Sequence, residues 1–454
     1  MSVIVIAGGS GYGKTTYMAN GIIKDSIDNP DRNYIFIVPE QFTMQTQKDM
    51  CNLHPNGGLM NIDILSFKRL AYRVFEEISF EMPEYIDDAG KNLILRRVID
   101  SNRENLIVYK NSTKYMGFIT EIKSVLSEFS QYCTNKETID EMSKKAKEDG
   151  KELFAAKLSD ISLIYEKFEE AIRDKYTTKE DLLKLLTKVV SKSSVIKNSD
   201  IYIDGFTGFT PDQYELLCEL AANARNIFVS VAVDPDEMNG MGEYGFEKIK
   251  DSELFKLSKE TINSLSEVAN SINEKLVCTV ISDGENSRLH DNKELSYLEK
   301  NLFRKSLTKP FEDVNCKESH INIVNCENPL EECLYVASDI AKRLDDNRYR
   351  DFAVVTGALD KYSGYISEAF KKYNIPVFVD DSRSILKNPC VNAIRQALLV
   401  ADENFSKDSV LSYLKSGMSF ANQTEIYIFE NYVNASGIKG FRAYKKSFLE
   451  RKYK

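Results

Sequence analysis

A glycine-rich loop near the N-terminus constrains this chain more than any other feature of its sequence. The loop fits the pattern G-x-x-x-x-G-K-[ST] and consists of Gly8, Gly9, Ser10, Gly11, Tyr12, Gly13, Lys14 and Thr15. The apolar run 3–6 precedes it. We therefore expect a buried strand, the loop and a helix in that order, which is the setting of a phosphate-binding P-loop.

A P-loop of this kind binds a nucleotide through groups at fixed places. Its backbone N–H groups hold phosphates, its lysine reaches the β- and γ-phosphates, and its final hydroxyl binds Mg²⁺. We predict ATP and Mg²⁺ as ligands, with Lys14 on the phosphates and Thr15 on the metal. The alternative is a glycine-rich turn between a strand and a helix that binds nothing.

The charge and composition of the chain exclude several classes of protein. Its 454 residues include 69 acidic and 60 basic ones, a net charge of −9, so any nucleic-acid contact must come from local patches. Its 8 cysteines never form C-x-x-C and its 3 histidines lie apart, which predicts reduced thiols and no zinc site. No apolar stretch reaches the ~18 residues of a membrane span. The N-terminal apolar run is short and has no basic segment before it, so we expect no signal peptide. We expect a soluble, cytoplasmic protein of about three domains.

Apolar runs predict an α/β fold around the P-loop. The runs 34–38, 61–65, 201–206 and 226–232 are typical of strands in a sheet. Residues 87–193 instead show helical spacing of apolar side chains and no strand signal. The sequence therefore predicts an α/β domain with an inserted helical block of about a hundred residues.

Several helix starts are marked by capping residues. Ser66 precedes a helix whose predicted apolar face consists of Phe67, Leu70, Ala71, Val74 and Phe75. Thr210 is followed by proline, which favours the first position of a helix. Thr177 and Thr178, each followed at the third position by an acid, offer capping boxes.

A second α/β unit is predicted in the C-terminal part of the chain. The apolar runs 321–324, 352–355 and 375–379 alternate with amphipathic helices. From residue 392 onward the sequence predicts helices alone.

Asp204 is the candidate second ligand of Mg²⁺. It follows an apolar run, so it lies at the C-terminal end of a predicted strand, where α/β sheets bind ligands. A polar strand cap or a turn acid is the alternative role. The next residue, Gly205, can neither accept a proton nor orient water. The sequence thus supports nucleotide binding better than hydrolysis.

Five segments, taken in order, resemble the AddB family, the B subunits of bacterial AddAB helicase–nucleases, which are relatives of superfamily 1 helicases. The segments are residues 8–15, 37–43, 65–71, 201–206 and 413–417. The resemblance implies a RecA-like P-loop helicase domain with a helical insertion, the start of a second RecA-like domain and a further helical domain. The implied boundaries are 1–84 and 195–285 for domain 1A, 85–194 for domain 1B, 286–400 for the start of domain 2A and 401–454 for the start of domain 2B.

The resemblance also implies a function in repairing DNA double-strand breaks by homologous recombination. In that family the B subunit keeps its P-loop, has lost most other helicase motifs and reads the hotspot sequence Chi in single-stranded DNA. The resemblance implies an AddA-type subunit, single-stranded DNA and duplex DNA as partners. The segment after the run 226–232 agrees with this loss of helicase motifs, because it lacks the glutamine that an active superfamily 1 motor carries there. The family's nuclease residues and its 4Fe-4S cluster lie near the C-terminus of a longer protein. We therefore expect an N-terminal fragment that contains neither.

Loop residues after two predicted strands are candidates for contacting single-stranded DNA. They are Gln41, Phe42 and Thr43 after the first strand and Phe206, Thr207 and Phe209 after the second. Exposed aromatic rings can stack on bases, while hydroxyls and amides contact phosphates. The alternative is that each phenylalanine anchors its own loop in the core.

Two further functions stay open from the sequence. One is a fully active superfamily 1 ATPase that translocates on DNA, and Gly205 is the residue that argues against it. The other is a P-loop kinase or another phosphotransferase. A separation of ~190 residues between Lys14 and Asp204, filled by a helical block, argues against that class.

Overall fold

The computed structural model describes residues 2–113, 115–173, 175–178, 181–284, 287–304, 310–311, 319–345, 347–381 and 385–446. The chain forms two compact units, Met1–Ile321 and Asn322–Lys454. None of the helices in those ranges combines the length and the apolar character that a membrane crossing requires.

The first unit combines a parallel sheet with helices. Its strands are β1 Ser2–Gly8, β2 Asn33–Ile37, β3 Ile62–Leu65, β4 Glu84–Tyr85, β5 Tyr176–Thr177, β6 Ser199–Ile203, β7 Asn226–Ala232 and β8 Val277–Ile281. Its α-helices are α1 Lys14–Asp28, α2 Thr43–Leu53, α3 Phe67–Glu77, α4 Asp88–Ser101, α5 Met116–Gln131, α6 Lys136–Glu148, α7 Glu152–Ile172, α8 Asp181–Val189, α9 Ser194–Lys197, α10 Pro211–Asn223, α11 Lys256–Ser271 and α12 Lys293–Asn301.

Six of these strands form one sheet in the order β3-β2-β6-β7-β1-β8, and all neighbours are parallel. Alternate residues of β1 enter two separate apolar cores, with Val5 on one face of the sheet and Ile6 on the other. A sheet buried on both faces explains why its strands read as continuous apolar runs. The five strands predicted around the P-loop are confirmed. The edge strand β8 was missed, although its sequence is rich in β-branched residues.

Local sequence rules account for the helix starts. Ser66 caps α3 by accepting a hydrogen bond from the backbone N–H of Arg69. All five residues of the predicted apolar face of α3 are buried. Thr210 caps α10, with Pro211 at its first turn, and the Gln213 side chain accepts from the Thr210 N–H at 3.0 Å. These predictions are confirmed because caps depend only on neighbours within one turn.

A block of helices, α4 to α9, connects β3 to β6 as predicted. Asp160 of α7, 2% exposed, accepts hydrogen bonds from the backbone N–H groups of Ile107, Val108 and Tyr109. The predicted capping pair of Thr178 and Asp181 begins α8. The prediction that this region lacks strands is wrong at β5, which pairs with β4. A two-residue strand is too short to show any periodicity.

The second unit contains helices in the described residues. They are α13 Pro329–Lys342, α14 Leu359–Lys372, α15 Pro389–Asp402, α16 Lys407–Leu414, α17 Gln423–Ser436 and α18 Phe441–Tyr444. The prediction of helices alone from residue 392 onward is confirmed as far as residue 446. Cys333 and Ala337 of α13 pack against Ile366 and Phe370 of α14 in a small apolar core.

The three strands predicted in the C-terminal part of the chain, at 321–324, 352–355 and 375–379, are wrong for the described structure, which assigns no strand to them. Each segment leaves one apolar side chain almost fully exposed, namely Ile323 at 96%, Val355 at 92% and Phe378 at 89%. Extended backbone becomes a strand only when its N–H and C=O groups pair with a neighbour. Apolar alternation predicts the extended conformation but carries no information about that pairing.

Candidate functional site

The glycine-rich loop joins β1 to α1 at the C-terminal edge of the sheet. Gly11 and Gly13 adopt left-handed backbone conformations, with φ of 83° and 89°, which side chains disfavour. A Cβ at Gly8 would lie 2.7 Å from the carbonyl oxygen of Ile281 in β8, so this position also requires glycine. The loop therefore has the tight, side-chain-free backbone that lets N–H groups approach an anion.

Lys14 is the first residue of α1, and its ammonium group lies over the loop. Its Nζ donates to the carbonyl oxygens of Gly8 at 2.9 Å and Gly9 at 2.8 Å. Burial lowers the pKa of Lys14 from its ordinary value of 10.5, while the carboxylates of Asp204 and Glu299 act in the opposite direction. A partly desolvated ammonium interacts strongly with phosphate, because less water competes for it.

Asp204 and Thr15 meet, although 189 residues separate them. The Thr15 hydroxyl donates to Oδ2 of Asp204 at 2.7 Å. Oδ1 of the same carboxylate accepts a hydrogen bond from the hydroxyl of Ser230, a residue of β7 that sequence reasoning missed. The structure thus brings the two predicted metal ligands into direct contact.

The donor set at this point fits Mg²⁺. A hydroxyl oxygen and a carboxylate oxygen are hard ligands, and Mg²⁺ in nucleotide sites takes only one or two protein oxygens beside phosphate and water. Across the ranges that the structure describes, no group of three or more His, Cys, Asp or Glu side chains is placed to hold a metal ion. Thr15 and Asp204 would hold the ion, and the ion would supply positive charge to the phosphates.

The segment that includes α12 packs against the P-loop, which sequence reasoning did not foresee. The hydroxyl of Tyr12, a residue 4% exposed, donates to Oε2 of Glu299 in α12 at 3.0 Å. The backbone N–H of Arg288 donates to the carbonyl oxygen of Gly11 at 3.0 Å. The positive charge of Arg288 also acts to lower the pKa of Lys14, although burial is the larger cause. Arg288 is therefore a further candidate phosphate contact.

Gly205 occupies a position that glycine alone tolerates well. Its φ is +80°, and a Cβ there would lie 3.3 Å from the Pro39 ring. A glutamate at position 205 would therefore have a strained backbone.

The DNA candidates after β2 differ in exposure. Phe42 exposes 49% of its surface and Gln41 is exposed, whereas Thr43 is 3% exposed and begins α2. The Thr43 hydroxyl donates to the carbonyl oxygen of Glu40 at 3.0 Å. Phe42 and Gln41 are thus available to a ligand, and Thr43 holds the turn.

The candidates after β6 lie around an aromatic cluster. Phe206 and Phe209 are half-buried, with ring centroids 5.5 Å apart, and both pack on Phe67 of α3. Thr207 between them is exposed. Phe206 lines a groove of about 210 Å³ beside Lys68. The groove brings Phe206 and Lys68 together at the C-terminal edge of the sheet.

The chain is similar to a known protein family and to curated bacterial proteins. Residues 5–299 match the family described as "ADDB, N-terminal". The chain is 37% identical, over its whole length, to the B subunit of an ATP-dependent helicase/deoxyribonuclease from Lachnoclostridium phytofermentans. Proteins with the same name from Clostridium kluyveri and Caldanaerobacter subterraneus subsp. tengcongensis are 33% and 34% identical over 97% of the chain. The chain spans 39%, 37% and 37% of the lengths of these three relatives.

Proposed function

Because this chain belongs to the ADDB N-terminal family, we propose that it is the ATP-binding part of a helicase/deoxyribonuclease subunit that acts in DNA double-strand break repair. The observation that carries the proposal is the contact of Thr15 with Asp204 at the end of a complete P-loop. The resemblance in the sequence to AddB helicase–nucleases agrees with the matched family.

The fold supports a RecA-like P-loop helicase domain. The P-loop strand β1 and the acid-bearing strand β6 lie in one parallel sheet with β7 between them. Residues 1–84 and 195–285 would form domain 1A and residues 85–194 domain 1B. Residues 286–400 and 401–454 would begin domains 2A and 2B.

Nucleotide turnover by this chain alone should be slow. The position after Asp204 carries glycine in place of a carboxylate that would orient the attacking water. Binding without efficient hydrolysis fits a degenerate helicase better than an active motor. The phosphotransferase class gains no support from the matched family.

DNA and a second subunit are the proposed partners. The relatives are named as B subunits of a helicase/deoxyribonuclease, so an AddA-type subunit is the proposed partner. Single-stranded DNA would pass the exposed Phe42 and Gln41 and the groove beside Phe206 at the ligand-binding edge of the sheet, and the protein would read Chi there. The 4Fe-4S cluster and the nuclease acids of the family have no assigned residues in this chain.

Calorimetric titration with ATP and Mg²⁺ tests the central proposal. Lys14→Ala removes a charge-assisted contact to phosphate and should weaken binding by about 1.5–3 kcal/mol. The control is Lys24→Ala, which removes an exposed lysine of the same helix and should bind ATP like the wild type. Equal affinities of the wild type and Lys14→Ala would contradict the assignment.

A further inference from the structure

We propose that Ser230 positions the Asp204 carboxylate for Mg²⁺, so that the metal site depends on β7 as well as on the P-loop and β6. The proposal deepens the function proposed above and rests on it, because it concerns the same ATP and Mg²⁺ site. Ser230 is a positioning residue in this proposal, since it acts on the metal through Asp204.

Both oxygens of the Asp204 carboxylate are engaged by hydroxyl groups. Thr15 donates to Oδ2 at 2.7 Å, and Ser230 donates to Oδ1. Asp204 is 8% exposed and Ser230 is 6% exposed, so little water competes for the hydrogen bond between them, whereas Thr15 is exposed. Ser230 therefore fixes the carboxylate through the oxygen that faces away from Thr15 and leaves Oδ2 directed at the P-loop.

The sheet register brings Ser230 to this position. β7 lies between β6 and β1, with Val229 opposite Ile203 and Ser230 opposite Ile6. Asp204 follows Ile203 directly, so Ser230 lies level with it on the neighbouring strand. The hydroxyl reaches Asp204 because of this register.

A hydroxyl inside an apolar strand needs a specific reason. Ser230 interrupts the run Ile227 to Ala232 of β7, where its neighbours on both sides are valines. Burying a hydroxyl costs free energy unless it is hydrogen-bonded, and here the bond goes to a charged group. Carboxylates that bind metals are themselves held by hydrogen bonds, and loss of such a bond lowers metal affinity by about 10–100-fold.

The test measures how strongly ATP binding depends on Mg²⁺. ATP affinity is determined by calorimetry in saturating MgCl₂ and again in EDTA, for the wild type, Ser230→Ala and Ser230→Thr. Ser230→Ala should lower the ratio of the two affinities by about 10-fold or more. It should leave the affinity in EDTA unchanged, because the phosphate contacts of the loop remain. Ser230→Thr keeps the hydroxyl and should restore the ratio.

The matched control is Ser199→Ala. Ser199 is also buried, lies on the neighbouring strand β6, and donates to the backbone carbonyl of Val195. Its loss should lower the melting temperature without changing the Mg²⁺ dependence. If Ser230→Ala does not fold, Ser230→Cys, whose thiol is a weak donor of similar size, carries the same expectation.

The outcomes separate this proposal from the function on which it rests. A wild type that binds ATP more tightly with Mg²⁺, together with a Ser230→Ala variant of unchanged ratio, would overturn the role of Ser230 alone. A Ser230→Ala variant that loses affinity equally in MgCl₂ and in EDTA would also overturn it. A wild type that does not bind ATP in either buffer would overturn the proposed function itself.

Discussion

Removing the hydroxyl of Tyr12 should loosen helix α12 where it packs on the P-loop. Tyr12→Phe deletes a hydrogen bond of 3.0 Å to Glu299, across 287 residues of sequence. The Tyr12 ring lies close over Gly9, where an added Cβ would be 2.7 Å from it, and Phe keeps this ring. Burial raises the pKa of Tyr12 and the bond to Glu299 adds to this, so the phenol remains a donor at neutral and mildly alkaline pH. The substitution therefore isolates one hydrogen bond.

The magnitude follows from the burial of the two partners. A hydrogen bond to a charged group contributes about 1.5–3 kcal/mol, and the higher values belong to pairs that water cannot reach. Tyr12 is 4% exposed, but Glu299 is only partly buried, so water can replace the lost donor. We expect the free energy of local opening of α12 to fall by about 1–2 kcal/mol, which is about 5–30-fold in the opening equilibrium.

Amide hydrogen exchange of the peptide that covers 293–301, followed by mass spectrometry, measures this opening. Tyr17→Phe is the control. Tyr17 is a nearby tyrosine, in helix α1 directly after the loop, and it exposes 52% of its surface. Glu299→Ala should increase exchange to a similar extent, and the double variant should add little, since both changes remove the same bond. Unchanged exchange of α12 in Tyr12→Phe, or fully additive effects, would refute the reasoning.

Three further predictions concern other parts of the first unit. Burial raises the pKa of Glu77, but hydrogen bonds from serine hydroxyls and backbone N–H groups outweigh it and lower the pKa from 4.5. The contribution of Glu77 to stability should be complete above pH 4.5 and should be lost as the pH falls through the lower pKa of the folded state. The melting temperature should therefore fall over this pH range in the wild type, and Glu77→Gln should lack this part of the fall. Asp160→Asn should cost about 2–3 kcal/mol by disrupting the bonds of the buried Asp160 carboxylate to three partly buried backbone N–H groups, seen as a lower melting temperature, whereas the exposed Asp149→Asn should change little. Phe42→Ala should weaken binding of single-stranded DNA by about 1–3 kcal/mol at unchanged melting temperature, while Phe209→Ala should lower the melting temperature; the reverse pattern would remove Phe42 from the DNA path.

The part of the site that was predictable from the sequence depends on short-range patterns. The run from Gly8 to Thr15 implies a tight loop followed by a helix, and the structure has such a loop, with Gly11 and Gly13 in left-handed conformations and Lys14 as the first residue of α1. Ser66 and Thr210 cap helices through partners three residues away. Such features follow from the residues of a single turn, so they can be predicted without knowledge of the remaining chain.

Contacts between distant residues required the tertiary structure. Ser230 bonds Asp204 because β7 lies between β6 and β1 in a particular register, and neither strand order nor register is encoded by apolar spacing. The bond of Tyr12 to Glu299 likewise depends on where α12 packs. The apolar runs of the second unit show the converse, since their spacing predicts strands and the described structure leaves them unpaired. The sequence by itself therefore determined the P-loop, the helix caps and the strands around the P-loop. The tertiary structure alone decided which side chains surround them, because hydrogen bonds between distant elements form only where packing brings their atoms within about 3 Å.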